Sequence, residues 1–181
     1  MLPSAEESQR HIQRLSLFEG LDAREKAILA GVFRPRGFRK GDTLCREGDG
    51  ASSFFIVAMG SIDIFKELPD GRRELLHTVG PNAVLGQVSL IVRGPRSATL
   101  TAATSSIVLE CSVSDFDRLF SAGTPFAYKL MDTIVTDLSR RVRDADRELA
   151  SLFSNPKQTL MRLHEAMLEV QKVAIVGRGR D

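Results

Sequence analysis

The middle of the sequence, residues 31–112, is built from short β-rich runs that are separated by turn-forming residues. The predicted strands are Thr43–Arg46, Ser53–Met59, Ile62–Leu68, Arg73–Val79, Ser97–Ala103 and Ser106–Cys111. Several short strands with glycine-containing turns between them are typical of an antiparallel sandwich or roll. One separator, Pro69-Asp70-Gly71, predicts a hairpin because proline presets φ and glycine accepts a positive φ. We therefore expect an α+β chain that is mainly β, with an antiparallel roll at its centre.

Helical patterns flank this region on both sides. On the N-terminal side, Asp22 is expected to cap a helix in which Ile28 and Leu29 face inward. After the roll, Ser114 is expected to cap a short helix, and Thr124-Pro125 is expected to start a long one. Further expected features are an apolar side of the short helix at Phe116 and Leu119, an end of the long helix near Phe153, and another helix from Pro156.

These patterns predict the organisation of the chain. The expected segments are a helical segment at 1–30, the β-roll at 31–122, a long helix at 123–155, and a terminal helix with a tail at 156–181.

The long helix carries an apolar pattern with alternating spacings of four and three residues. Its members are Leu138, Val142, Ala145, Leu149 and Leu152. Such a heptad seam is typical of a coiled coil, whereas a helix packed on its own domain also needs an apolar stripe. Upstream, Phe126, Leu130 and Ile134 are expected to supply that packing stripe. Because charged residues flank the later seam, we favour a homodimer formed through this helix.

Charge and cysteine usage limit the functional classes. The chain has 25 basic and 23 acidic side chains, and this near balance gives no reason to expect a nucleic-acid or anionic-membrane surface. Two cysteines, Cys45 and Cys111, lack CxxC spacing and suit a reducing compartment. The N-terminus has no signal-peptide pattern, and no apolar stretch approaches the roughly 20 residues needed to cross a bilayer. We expect a cytoplasmic protein without a membrane partner.

Enzyme signatures are missing from the sequence. There is no P-loop, GxSxG elbow or HExxH pair. The three histidines, His11, His77 and His164, are far apart and lie in different predicted elements. We therefore expect neither an enzyme nor a metal site.

The segment Gly86–Thr99 combines a glycine, a one-turn helix and an arginine on the following strand. The N–H groups at a helix start can bind an anion, and Arg96 can fork onto phosphate oxygens beside the hydroxyl of Ser97. Gln87, at the helix start, can hydrogen-bond a sugar hydroxyl. Taken alone this pattern is also compatible with Arg96 as a surface arginine on a strand edge.

The segment resembles the phosphate-binding cassette of the cyclic-nucleotide-binding domain family. That family includes catabolite activator transcription factors, regulatory subunits of cyclic-AMP-dependent kinase and nucleotide-gated channels. Other motifs occur in the family's order, namely Arg39–Leu44 with Glu47-Gly48-Asp49, Phe54–Val57 with Gly60, Ile62 and Ile64, Gly80-Pro81, Arg96–Thr99, and Asp115-Phe116 with Leu119. The resemblance covers about residues 15–155 and implies a jelly-roll-like double-stranded β-helix.

The resemblance also implies a ligand and a role for each site residue. The ligand would be cyclic AMP or cyclic GMP, bound without a metal. The implied roles are phosphate binding for Arg96, Ser97, Ser89 and Leu90, ribose contact for Gly86 and Gln87, and a wall beside the base for Val57 and Val84. Contacts to the base would also come from the long helix, between Thr136 and Ala145.

One departure from the family concerns the residue after the cassette glycine, where the family typically has glutamate and this chain has Gln87. An amide oxygen accepts the ribose hydroxyl without charge, which weakens binding by on the order of 1 kcal/mol, or roughly five- to tenfold. This leaves two hypotheses. The first is a cyclic AMP sensor that signals through its C-terminal helix. The alternative is a degenerate β-roll that no longer binds nucleotide and serves as a dimerising scaffold.

A second departure concerns the chain after the long helix. In the transcription factors that helix leads into a helix-turn-helix module. Here about 25 residues come after Pro156, enough for one helix from Lys157 to about Val173. We therefore expect no direct DNA binding, and signalling through an unidentified protein partner.

Overall fold

The computed structural model describes residues 5–68, 70–87, 94–154 and 160–161. Within these residues two four-stranded antiparallel sheets face each other, with strand orders β1-β8-β3-β6 and β2-β7-β4-β5. The strands are β1 (Arg34–Phe38), β2 (Thr43–Cys45), β3 (Ser53–Met59), β4 (Ile62–Glu67), β5 (Arg73–Val79), β6 (Val84–Leu85), β7 (Thr99–Ala102) and β8 (Ser106–Ser112). The predicted β-roll is confirmed.

Helices lie on both sides of the roll in the sequence. They are α1 (Ala5–Arg14), a 3-10 turn (Ser16–Phe18), α2 (Ala23–Val32), α3 (Val113–Ser121) and α4 (Pro125–Ser154). The chain divides into two compact units, residues 1–134 and 135–181. Among the residues described, none of the helices combines the length and apolar character that crossing a membrane requires.

The six predicted strands are confirmed to within two residues at each end, whereas β1 and β6 were not predicted. Strand β1 contains Pro35 and Gly37, two residue types that are depleted in strands. β1 is the edge strand of its sheet and pairs with β8 alone, and edge strands are where proline occurs within sheets. Strand β6 has only two residues, too few for any periodicity.

The core has two layers that share β3. The space between the sheets is filled by Phe55, Val57, Ile62, Ile64, Leu85, Leu100, Ala102 and Val108, which we call the inner cluster. The opposite face of β3 meets the helices, where Phe33 contacts Phe54 and Phe126 with ring centroids 5.9 and 5.6 Å apart. Since side chains alternate along a strand, β3 is buried on both faces, which fixes its register firmly.

The predicted cap of α2 is confirmed. The Asp22 carboxylate accepts from the Glu25 N–H at 2.8 Å, and the Glu25 carboxylate accepts from the Asp22 N–H at 2.8 Å, forming a capping box. Leu29 is buried as expected, but Ile28 is 49% exposed and the prediction for it was wrong. Adjacent helical residues point about 100° apart, so this short helix buries Leu29 and Ala30 and turns Ile28 outward.

The cap of α3 is Ser112, so the prediction of Ser114 was wrong. Ser112 has the extended backbone that an N-cap requires, and its hydroxyl accepts from the Asp115 N–H at 3.0 Å. Ser114 is already the second helical residue. Phe116 and Leu119 are buried, as predicted.

The long helix begins at Pro125 as predicted, and the packing stripe Phe126, Leu130 and Ile134 is fully buried. Along the predicted seam Leu138 is half-buried. Val142 is 61% exposed and Leu149 54% exposed, while the side chains of Ala145 and Leu152 lie outside the described residues. The homodimer stays a prediction. Of the helix predicted after Pro156, only residues 160 and 161 are described, and both are helical.

Candidate functional site

Arg96 lies three residues before β7, and its side chain is buried in the roll. Its N–H donates to the Asp49 carbonyl at 2.9 Å, and its own carbonyl accepts from the Gly48 N–H at 2.9 Å. These two bonds fix the backbone against the turn that comes after β2. The residue is only 6% exposed, so the interpretation of Arg96 as a surface arginine is wrong.

The guanidinium group of Arg96 is incompletely paired. Nη2 donates to the Ser53 hydroxyl at 3.3 Å, and the group lies over the Phe55 ring, 5.1 Å from its centroid. Nη1 is fully buried and has no hydrogen-bond partner among the described residues. A buried charged donor without an acceptor is costly, since it loses water and gains nothing in return. The geometry therefore offers one cationic donor to an incoming acceptor.

Gly86 provides the space beside this donor. Its φ is +79°, and a Cβ atom at this position would overlap Nη1 of Arg96. Only glycine meets both conditions without strain. Gln87 is helical and 6% exposed. Residues 88–93 lie outside the described part, including the predicted phosphate ligands Ser89 and Leu90.

The carboxylate of Glu110 is linked to Arg96 through the hydroxyl of Ser53. The Ser53 hydroxyl donates to Oε1 of Glu110 at 2.8 Å, and Oε2 of Glu110 accepts from Nη1 of Arg36 at 2.8 Å. Sequence reasoning identified none of these three residues. They come from β3, β8 and β1, which are neighbours in the sheet but far apart along the chain.

The remaining predicted site residues lie in different surroundings. Ser97 is exposed, and its carbonyl accepts from Nζ of Lys66 at 3.2 Å. Val84 is half-buried in β6, where it pairs with Ile56. Val57 has no exposed surface and belongs to the inner cluster.

Glu47 ties the end of the cassette to β4. Its carboxylate accepts from Nζ of Lys66 and from the Glu67 N–H, the latter at 2.9 Å, while its own N–H donates to the Thr99 hydroxyl at 2.9 Å. The hydrogen bond from the Glu67 N–H, together with the weaker effect of that from Lys66, holds the pKa of the Glu47 carboxyl below its usual range. The ionised carboxylate thus joins three segments at the rim of the site.

Cys45 lies on β2 against the inner cluster and is half-buried. Burial raises the pKa of its thiol, and the nearby Arg96 guanidinium opposes that rise. Cys111 is fully buried, and burial raises its pKa to about 12. Within the described residues no group of three or more His, Cys, Asp or Glu side chains could hold a metal ion.

Part of the chain matches a known protein family. The model of the cyclic nucleotide-binding domain family matches residues 35–122. The CRP-like cAMP-activated global transcriptional regulator of Mycobacterium tuberculosis is 28% identical over 78% of this chain. This chain spans 61% of the length of that regulator.

Solved structures are similar over the same region. The catabolite activator protein of Thermus thermophilus aligns with a TM-score of 0.65 and 29% identity, over 75% of this chain and 62% of that one. The N-terminal domain of a transcriptional regulator from Streptomyces coelicolor A3(2) aligns with a TM-score of 0.59 and 32% identity, over 75% of this chain and 93% of that one.

Proposed function

Because the chain belongs to the cyclic nucleotide-binding domain family, we propose that it is a sensor whose ligand is a cyclic nucleotide, with cyclic AMP as the first candidate. A regulator named for activation by cyclic AMP is 28% identical to this chain, which supports the choice of base. Cyclic GMP is the other candidate, since the residues implied to contact the base do not distinguish adenine from guanine.

The observation that carries the proposal is the unpaired Nη1 of Arg96. A cyclic nucleotide has a phosphodiester with a single negative charge, so one buried guanidinium neutralises it without a metal. Because Gly86 has no side chain, Nη1 of Arg96 can lie against its backbone, and a ribose that binds beside this residue would meet no Cβ atom. Gln87 comes directly after Gly86, and its amide oxygen would accept a hydrogen bond from a ribose hydroxyl.

The proposed output runs through the long helix to a second copy and to a protein partner. Val142 and Leu149 are exposed apolar residues on α4, and both belong to the predicted seam. Tyr128 and Val135 are 56% and 54% exposed, and they continue the same seven-residue spacing upstream. Two described cysteines without a disulfide agree with the cytoplasmic location that we assign to such a sensor.

The alternative is a degenerate roll that acts as a dimerising scaffold. One observation favours it, namely that Gln87 stands where the family typically has glutamate. The loss of a charge-assisted contact weakens binding by on the order of 1 kcal/mol, which is too little to abolish it. The retained Arg96 and Gly86 therefore favour the sensor.

Calorimetric titration tests the proposal. Cyclic AMP, cyclic GMP and 5′-AMP are each titrated into the protein up to about 1 mM, a range that detects affinities down to about −4 kcal/mol. We expect binding of at least one cyclic nucleotide, and weaker binding of 5′-AMP because its dianionic phosphate needs a second cation. If no cyclic nucleotide binds, the scaffold alternative replaces the sensor.

A further inference from the structure

We propose that Ser53 and Glu110 are positioning residues for Arg96, which hold its Nη2 atom and leave Nη1 free for the phosphate of the ligand. The inference rests on the proposed function for the identity of that ligand. Neither residue belongs to the cassette, and neither is placed in contact with the nucleotide.

The direction of the hydrogen bonds is set by the protons that each group carries. A serine hydroxyl has one proton to give, and an ionised carboxylate has none. The proton of Ser53 therefore points to Oε1 of Glu110 at 2.8 Å, and its lone pair faces Nη2 of Arg96 at 3.3 Å. Glu110 thus turns Ser53 into an acceptor for the arginine.

The sheet fixes this arrangement before any ligand arrives. Phe55 is paired with Glu110 across β3 and β8, and residues two apart on a strand share a face, so Ser53, Phe55 and Glu110 lie on the same side of the sheet. The second oxygen of Glu110 is held by Arg36 from β1 at 2.8 Å. The carboxylate is therefore restrained from both sides.

The contacts that run from Glu110 through Ser53 to Arg96 are important because Ser53 and Arg96 are buried. Ser53 is 7% exposed and Arg96 6% exposed, so water competes poorly for either group. A desolvated guanidinium needs a nearby negative charge, and Glu110 supplies one through the serine hydroxyl. With one edge held and the Phe55 ring beneath, the guanidinium keeps a single orientation in which Nη1 remains unpaired. Such preorganisation raises affinity because less freedom is lost on binding.

The first test is calorimetry with cyclic AMP. Ser53→Ala should weaken binding by roughly tenfold, because the arginine loses its fixed orientation. Ser53→Thr keeps the hydroxyl and should restore affinity to within about twofold, a rescue that loss of packing alone would not give. In an Arg96→Ala background, Ser53→Ala should cost nothing further. The control is Arg72→Gln, which breaks an exposed ion pair with Asp70 outside this arrangement and should bind almost as wild type.

The second test does not need the nucleotide. In ¹⁵N NMR spectra of the ligand-free protein, a held guanidinium gives separate Nη1 and Nη2 signals, whereas a freely rotating one gives an averaged signal. The Arg96 signals, assigned by their loss in Arg96→Lys, should be separate in wild type and averaged in Ser53→Ala and Glu110→Gln. Unchanged Arg96 signals in both variants would overturn the inference.

The two tests separate two kinds of failure. If the wild-type protein binds no cyclic nucleotide, the proposed function fails, and the NMR spectra still decide whether Ser53 and Glu110 hold Arg96. If the nucleotide binds and Ser53→Ala binds it equally well, the proposed function stands and the positioning role is wrong.

Discussion

Nη1 of Arg96 occupies the space in which a Cβ atom on Gly86 would lie. The two residues are ten positions apart in the sequence, and the segment between them is the predicted phosphate-binding cassette. The glycine and the arginine thus form one unit, because the guanidinium reaches its position only if residue 86 has no side chain.

Gly86→Ala tests this unit. The added methyl group should displace the guanidinium and weaken cyclic AMP binding by at least ~10-fold, through loss of the charge-assisted contact. The positive φ of +79° adds a conformational cost in folding stability. That cost is about 1–2 kcal/mol for a non-glycine residue. Binding is measured by calorimetry and stability by thermal unfolding.

Gly71→Ala is the matched control for this variant. Gly71 has the same φ of +79°, but a Cβ atom there would meet nothing within 4 Å. The control should therefore lose similar stability and keep its affinity. Equal affinity of the Gly86 variant and wild type would show that binding does not depend on the guanidinium position that Gly86 permits.

Gln87→Glu should tighten cyclic AMP binding by roughly five- to tenfold, because a carboxylate accepts the ribose hydroxyl with charge assistance. Gln87→Met, which keeps the length but removes the acceptor, should weaken it. Both affinities come from the same titrations. Weaker binding by the glutamate variant would indicate a pocket rebuilt around a different ligand.

Cys45 should report occupancy of the pocket through its reaction with iodoacetamide. Burial raises the pKa of this thiol, so the reactive thiolate is scarce near neutral pH. The alkylation rate should rise steadily from about pH 7 to about pH 10, and saturating cyclic AMP should slow it at each pH. Mass spectrometry of tryptic peptides identifies the modified residue.

Cys111 is the internal control for this experiment. It is fully buried with a pKa of about 12, so it should stay unmodified in the folded protein under the same conditions. If the alkylation rate of Cys45 is the same with and without cyclic AMP, the bound ligand does not cover this side of the roll.

The seam on α4 should form the homodimer. Val142→Asp combined with Leu149→Asp would place like charges against each other across the two-fold axis, which is costly without partners. Because both side chains are more than half exposed, the variant should keep its fold and become a monomer. Light scattering after gel filtration measures the mass.

Thr136→Asp combined with Ala150→Asp is the matched control. Both residues are exposed on α4. Thr136 comes directly after Val135 and Ala150 directly after Leu149, two members of the exposed apolar series with seven-residue spacing. This variant has the same added charge and should remain a dimer. A monomeric wild-type protein at tens of micromolar would contradict the dimer, and unfolding of the seam variant would show that the stripe packs within its own chain.

The repeating turns and the apolar runs were sufficient to predict the roll, because alternation and glycine position are local properties. The packing stripe at Phe126, Leu130 and Ile134 was predictable for the same reason. The choice between two nearby residues that can serve the same role was not predictable from the sequence. Ser112 and Ser114 can both cap a helix, and where β8 ends decides between them.

The cassette arginine was identified through its resemblance to a family motif, whereas its supports were not. Ser53 lies 43 residues before Arg96, and Glu110 lies 57 residues after Ser53. No periodicity in the sequence links residues at such separations. Their contact depends on the pairing of β3 with β8, which only the three-dimensional structure provides.

The central claim is that Arg96 binds the phosphate of a cyclic nucleotide. Isothermal titration of cyclic AMP and cyclic GMP into wild type, Arg96→Ala and Arg72→Ala tests it most directly, since Arg72 is an exposed arginine outside the site. We expect wild type and Arg72→Ala to bind at least one of the two with similar affinity, and Arg96→Ala to bind it at least ~10-fold more weakly, as loss of a charge-assisted contact requires. Equal affinity of wild type and Arg96→Ala, with both proteins folded, would contradict the assigned site.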